Sequence, residues 1–216
     1  LIAEGVRVLF INPVDGTRMN DVLRDARAAG VIVIAIDTNI AAGSDVAATV
    51  VSDNYNAGRQ CAAHLLAHAD GARIALLKHA EARSAEQRIE GFRAEIAEHP
   101  SFQIVAEADC SGQLERAMPA MEKMLMEHPE IDTVMALNDP AALGAIAALQ
   151  SAGRMPGDTM VYGVDGVPES RELIRTGWMT ATAVQSPRGI GRMAAEEAYR
   201  ILSGESAADI DLPTRL

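Results

Sequence analysis

Apolar and polar residues fall in blocks along this chain. Short, nearly continuous aliphatic runs occupy residues 6–11, 31–36, 46–51, 73–77, 102–108, 133–137, 160–164, 180–184 and 209–212. Continuous runs of this length, rich in Val and Ile, predict parallel strands buried on both faces. Between them lie stretches with apolar residues at helical spacing, predicting helices over 14–29, 55–69, 84–98, 113–127, 139–152, 168–176 and 187–202. In the first of these, Val22, Leu23 and Ala26 form the apolar stripe and Gly30 is the stop. Pro140, Pro168 and Pro187 stand at helix starts, with Asp139 read as the N-cap before Pro140, and Gly153 and Gly177 follow two helix ends. Strand and helix alternate with short connections, which predicts a doubly wound α/β architecture with parallel sheets.

Seven of these nine runs end in a polar residue at or just past the last apolar position: Asn12, Asp37, Asp53, Asp109, Asn138, Asp165 and Gln185. In a parallel α/β sheet, ligands bind just beyond the carboxyl ends of the strands, so this fold gathers these side chains at sheet edges. Any one Asn or Asp at such a position is ordinarily a turn or cap residue. Seven at equivalent positions point to a ligand site, with Asp53 and Asp139 the best candidates for capping alone. Arg88, by contrast, lies inside the predicted helix 84–98, where position alone reads as a solvated arginine flanked by Glu86 and Glu90.

Composition narrows the function. The 216 residues are 49% hydrophobic, enough for one large or two small cores, and carry a formal net charge of −11. Such a chain repels phosphate backbones, which argues against nucleic acid as a partner. No apolar run is long enough to span a membrane, and no signal-peptide pattern occurs. Residues 1–5 read as the last turn of a helix, and the final strand stops at Leu212-Pro213, so both ends are expected to be cut. Two cysteines, Cys61 and Cys110, do not make a disulfide scaffold, and Cys61 sits at a core-facing position. His64 and His68 are spaced i,i+4, but Leu65 stands where a zinc-protease helix needs Glu. The five histidines show no metal spacing, and no cofactor is expected. Walker, G-x-S-x-G and G-x-G-x-x-G motifs are absent, so an enzyme reading lacks its nucleophile and its phosphate cradle.

The segments I-N-P-V-D-G (11–16), A-I-D-T-N (35–39), V-S-D-N (51–54), R-I-E-G-F (88–92), A-L-N-D-P-A-A-L-G-A (136–145), G-V-D-G (163–166) and T-A-T-A-V-Q-S-P (180–187) together resemble the ribose-type family of periplasmic sugar-binding proteins. The family serves ABC importers and shares its fold with the effector domains of lac-repressor-type regulators. The resemblance covers essentially the whole chain. It implies two doubly wound lobes joined by a three-strand hinge that closes on a sugar. The first lobe would be 1–52 with 186–212, incomplete for want of an opening βαβ unit, and the second 53–185 with 213–216. It also implies ligand contacts at Asn12, Asp37, Arg88, Asn138, Asp165 and Gln185, which moves Arg88 from solvent into the cleft. Thr38 and Cys110 are further candidates and also departures, standing where ribose-binding members carry arginine and an aromatic. The implied partners are a small neutral sugar or polyol and a membrane permease, and the implied location is the periplasm. The rival reading is the sensing domain of a transcriptional regulator, although no helix-turn-helix is present.

Overall fold

The computed structural model describes residues 1–12, 19–40 and 44–216. A single 3₁₀ turn, Ile2–Glu4, comes first and is closed by Gly5 at φ 78°. The elements then run β1 (Val8–Ile11), α1 (Asn20–Ala28), β2 (Ile32–Ile36), β3 (Ala48–Ser52), α2 (Asn54–His68), β4 (Ala72–Lys78), α3 (Arg83–Ile96), β5 (Phe102–Asp109) and α4 (Leu114–Glu127). They continue with β6 (Thr133–Ala136), α5 (Asp139–Ser151), β7 (Met160–Asp165), α6 (Pro168–Arg175), β8 (Ala181–Val184), α7 (Pro187–Leu202) and β9 (Ile210–Leu212). Of the expected helix 14–29, residues 14–18 lie outside the described residues, as do residues 13–16 of the I-N-P-V-D-G segment.

The described residues form two compact units. One comprises Leu1–Asp53, Ala82–Ser84 and Ser186–Pro213; the other comprises Asn54–Glu81, Ala85–Gln185 and Thr214–Leu216.

The first unit is built on a parallel four-stranded sheet in the order β1-β2-β3-β9. Its central strand β2 is covered on both faces. Ile34 packs with Ala48, Val50 and the α7 residues Ile190, Ala194 and Ala198, while Val33, with Val31 just ahead of the strand, packs with Leu23 and Ala26 of α1. That double burial is why residues 31–36 are apolar without interruption.

The second unit carries a parallel five-stranded sheet in the order β5-β4-β6-β7-β8. On one face Cys61 and Leu65 of α2 and Ile89 and Phe92 of α3 pack on Ile74, Leu76, Met135, Tyr162, Val164 and Ala183. Full burial of a side chain such as Leu65 or Ile74 contributes about 1.5–3 kcal/mol. The intervening residues Gly163 and Thr182 face the other side, where α5 lies. Helices α2 and α3 touch backbone to backbone: a Cβ on Gly58 would stand 1.8 Å from the carbonyl oxygen of Arg88, and one on Gly91 2.0 Å from that of Tyr55. No residue larger than glycine fits at either crossing point.

Two expectations need correction. Asp139 is not the N-cap of α5. The cap is Asn138, extended at φ −154°, whose Oδ1 accepts the Ala141 N–H at 3.0 Å. Asp139 is already helical, and its carboxylate is taken by stronger partners described below. Arg88 is not a solvated helical arginine, because it is buried with the core-facing residues Ala85, Ile89, Phe92 and Ile96 of α3.

Candidate functional site

Because the second sheet is parallel throughout, the carboxyl ends of its strands share one edge. Lys78, Asp109, Asn138, Asp165 and Gln185 all stand at or just past those ends. Asp165 is the centre of this edge. It has φ 138°, a backbone region that L-residues avoid, and Gly166 follows at φ 77°. The Gln185 side chain donates through Nε2 to Asp165 Oδ1 at 2.6 Å, while its own Oε1 is enclosed and unpartnered among the described residues. Arg88 Nη1 lies 3.7 Å from the same Asp165 oxygen.

The arginine is fixed from behind. Its Nε donates to Asn54 Oδ1 at 2.8 Å and its Nη1 to the Leu137 carbonyl at 2.9 Å, leaving the residue only 6% exposed. The two glycine crossings bring α3 close enough to α2 for Arg88 to reach Asn54, which opens α2 and is itself buried. Burial pushes the Asp165 carboxyl up to about 6, and the Asp139 carboxylate adds to the rise. The Arg88 charge, the Gln185 amide and the Asp139 main-chain N–H oppose it without cancelling it. The edge therefore holds a carboxyl that titrates near neutrality beside a buried guanidinium.

The remaining candidates fall into place unequally. Asn138 is half-buried; besides capping α5 it donates through Nδ2 to the Gly112 carbonyl at 3.1 Å, which leaves one amide hydrogen uncommitted among the described residues. Asp109 acts as a turn residue, accepting the Ala80 N–H at 2.8 Å and the Ser111 N–H at 2.9 Å. Cys110 is fully enclosed, its Sγ 3.6 Å from the Lys78 carbonyl, so it presents no surface at this edge. Of the histidines, His64 is engaged with the Tyr162 hydroxyl at 3.0 Å through Nδ1 and stacks on His68.

In the first unit, Asn12 and Asp37 follow β1 and β2 and meet directly, Asn12 Nδ2 donating to Asp37 Oδ2 at 3.2 Å. Asp37 also has a positive φ, 67°, and the Thr38 N–H turns back to the Ile36 carbonyl at 2.7 Å. Among the described residues, Asp37, Ser111 and Asp165 are the non-glycine positions with positive φ, and all three sit at or just after the end of a strand.

Sequence reasoning by position missed Asn54 and Asp139. Arg88 had a usable signal: residues 85, 88, 89, 92 and 96 share one helical face, and the other four are apolar. For Asn54 and Asp139 no such periodic signal exists, since both open helices where Asn and Asp are common.

The chain matches the family described as a periplasmic binding protein domain over residues 1–206. It is 33% identical to the ribose import binding protein of Salmonella typhimurium, covering 95% of this chain and 69% of that protein. Among solved structures, the periplasmic binding protein component of the arabinose ABC transporter from Shewanella sp. ANA-3, bound to L-arabinofuranose, superposes with a TM-score of 0.93 at 31% identity, over 99% of this chain and 73% of that one. The Caulobacter myo-inositol binding protein, bound to myo-inositol, superposes with a TM-score of 0.90 at 28% identity, over 99% and 74% of the two chains. Each unit is a parallel α/β sheet with polar side chains at its strand ends, the relatives are import binding proteins, and this chain belongs to the periplasmic binding protein family.

Proposed function

We propose that this chain is the solute-binding component of an ABC importer, capturing a small neutral sugar or polyol and delivering it to a membrane permease outside the cytoplasm, without catalysis. The observation that carries this reading is the Arg88–Asp165–Gln185 group, held by Asn54 and Leu137 at the carboxyl edge of the second sheet. Vicinal hydroxyls need acceptors in pairs, which carboxylates offer, and also donors, which Arg88 and the Asn138 amide provide. Asn12 and Asp37, at strand ends of the first unit, form an acceptor–donor pair of the same kind. Two carboxylates and a net charge of −11 disfavour a phosphorylated or anionic ligand. The names of the relatives, which bind ribose, L-arabinofuranose and myo-inositol, support the ligand class.

Within that class the ligand is not ribose. Thr38 offers a short hydroxyl where ribose binders carry a forked arginine, and Cys110 removes an aromatic stacking face. A thermal-shift screen of pentoses, hexoses and polyols, with their phosphorylated forms as controls, tests the proposal. Stabilisation by at least one neutral compound other than ribose, and by none of the phosphorylated ones, is expected. A response confined to anionic compounds would overturn the class, and a response to ribose unmatched by any other sugar would overturn the exclusion.

A further inference from the structure

Asp139 is among the most enclosed charged residues described, with no exposed surface, yet its side chain neither caps α5 nor is exposed at the strand-end edge. Its carboxylate is bonded on both oxygens. Oδ2 accepts the main-chain N–H of Gly166 and of Val167, each at 2.9 Å, and Oδ1 accepts the Thr182 hydroxyl at 2.6 Å. The Thr182 oxygen in turn receives the Gly166 N–H at 3.2 Å. One side chain at the start of α5 therefore ties the turn after β7 to β8. That turn begins at Asp165, whose φ of 138° needs outside support to persist.

The neighbouring sequence accommodates this carboxylate. A Cβ on Gly163 would stand 2.5 Å from Asp139 Oδ1, and one on Gly166 2.8 Å from Val184. The G-V-D-G segment thus places Asp165 between two glycines, Gly163 making room for the Asp139 carboxylate and Gly166 donating its N–H to it. The Asp139 main-chain N–H also faces the Asp165 carboxylate, so the residue holds the strained turn with its side chain and meets the site with its backbone.

We propose that Asp139 is the positioning residue of the binding edge: its buried carboxylate, bonded to Gly166, Val167 and Thr182, holds Asp165 in the orientation that presents it to the ligand. This rests on the proposed function for the word ligand, but the geometric part stands alone. A group that only stabilised the fold would leave the Gly166 and Val167 amides and the affinity unchanged once the protein had folded. A positioning group would not. Thr182→Val, which keeps every charge, separates positioning from a charge effect. The charged groups that face Asp165 are Arg88 from α3 and Asp139 from α5, with the neutral Gln185 after β8. Removing the Asp139 charge therefore lets Asp165 ionise at lower pH.

The experiment follows the Asp165 side-chain carboxyl by carbon NMR against pH in the ligand-free protein, for wild type, Asp139→Asn, Thr182→Val and Thr182→Ser. Calorimetry with D-ribose, D-allose, L-arabinose and myo-inositol is run in parallel. Expected are a lower Asp165 midpoint in Asp139→Asn and displaced Gly166 and Val167 amide resonances. Affinity for the best-bound compound should fall about tenfold or more in Asp139→Asn and Thr182→Val, from losing a charged hydrogen bond, while Thr182→Ser stays near wild type. Should Asp139→Asn fail to fold, the Thr182 pair decides, through the Gly166 and Val167 amides and the affinity. If folded Asp139→Asn shows a wild-type Asp165 midpoint and wild-type amides, or Thr182→Val behaves like Thr182→Ser, the proposal is overturned. If wild type binds none of the four compounds, the functional reading is what suffers, and the ligand-free titration still decides the role of Asp139.

Discussion

At the scale of single residues, the site is a problem of charge in a partly dry place. Asp165 is lifted from its ordinary value of 3.8 to about 6, chiefly by burial, because Arg88 at 3.7 Å does not fully offset the lost hydration. The sign for stability follows from proton binding. Between pH 4 and 6 the folded state holds a proton on Asp165 that the unfolded chain has lost. The contribution is thus fully present below about pH 4 and disappears as pH rises through about 6. Asp165→Asn removes this dependence, so the variant's melting temperature relative to wild type should climb between about pH 4 and 7, as thermal melts across that window will show. A constant difference would mean Asp165 titrates normally. Ligand binding should run the other way, because the ionised carboxylate is the better hydroxyl acceptor: affinity rises with pH through about 6 in wild type and is flat in Asp165→Asn. Arg88→Ala removes the guanidinium that donates to the buried Asn54 Oδ1 and to the Leu137 carbonyl, and takes the nearby positive charge from Asp165. It should weaken binding about ten- to a hundredfold, and urea titration should show a stability loss of about 1–3 kcal/mol.

At the scale of elements, much of the site's support lies in how closely two helices approach. Glycines at 58 and 91 let α2 and α3 meet at main-chain distance, and Arg88 and Asn54 flank that crossing. Gly91→Ala puts a methyl group 2.0 Å from the Tyr55 carbonyl, so the helices must separate or shift. It should cost about 1–3 kcal/mol in chemical denaturation, as overpacked interiors do, and weaken ligand binding by separating Arg88 from Asn54. Wild-type stability would show that the crossing has slack. Here the sequence was partly readable. The run 31–36 announced a strand buried on both faces, and Pro187 with the apolar pattern after it marked α7 at both ends. Arg88 was misread from its charged neighbours Glu86 and Glu90, although Ala85, Ile89 and Phe92 already defined a buried face that includes it. The cap of α5 was assigned one residue late because Asp and Asn are equally good caps. What separates them is the tertiary demand of Gly166, Val167 and Thr182 on Asp139, which no local pattern encodes.

At the scale of the whole molecule, the alternation of apolar runs and amphipathic stretches was enough to predict parallel α/β sheets, since only strands buried on both faces remain apolar throughout. Among the described residues the strands form two sheets, of four and five strands. The gathering of strand-end residues follows from parallelism alone, and so the sequence pattern suffices to group Asn138, Asp165 and Gln185. Their individual duties could not, because Asn138 divides its amide between a cap and Gly112 while Gln185 spends its amide on Asp165. The central claim is that this edge binds a neutral polyhydroxylated ligand through Asp165. Calorimetric titration at pH 7.5 of wild type and Asp165→Asn with D-ribose, D-allose, L-arabinose and myo-inositol tests it most directly. Saturable binding of at least one compound other than ribose is expected, weakened about ten- to a hundredfold in Asp165→Asn, a variant that melts no lower than wild type. Equal affinity in the two proteins, or no binding of any neutral sugar or polyol, would contradict it.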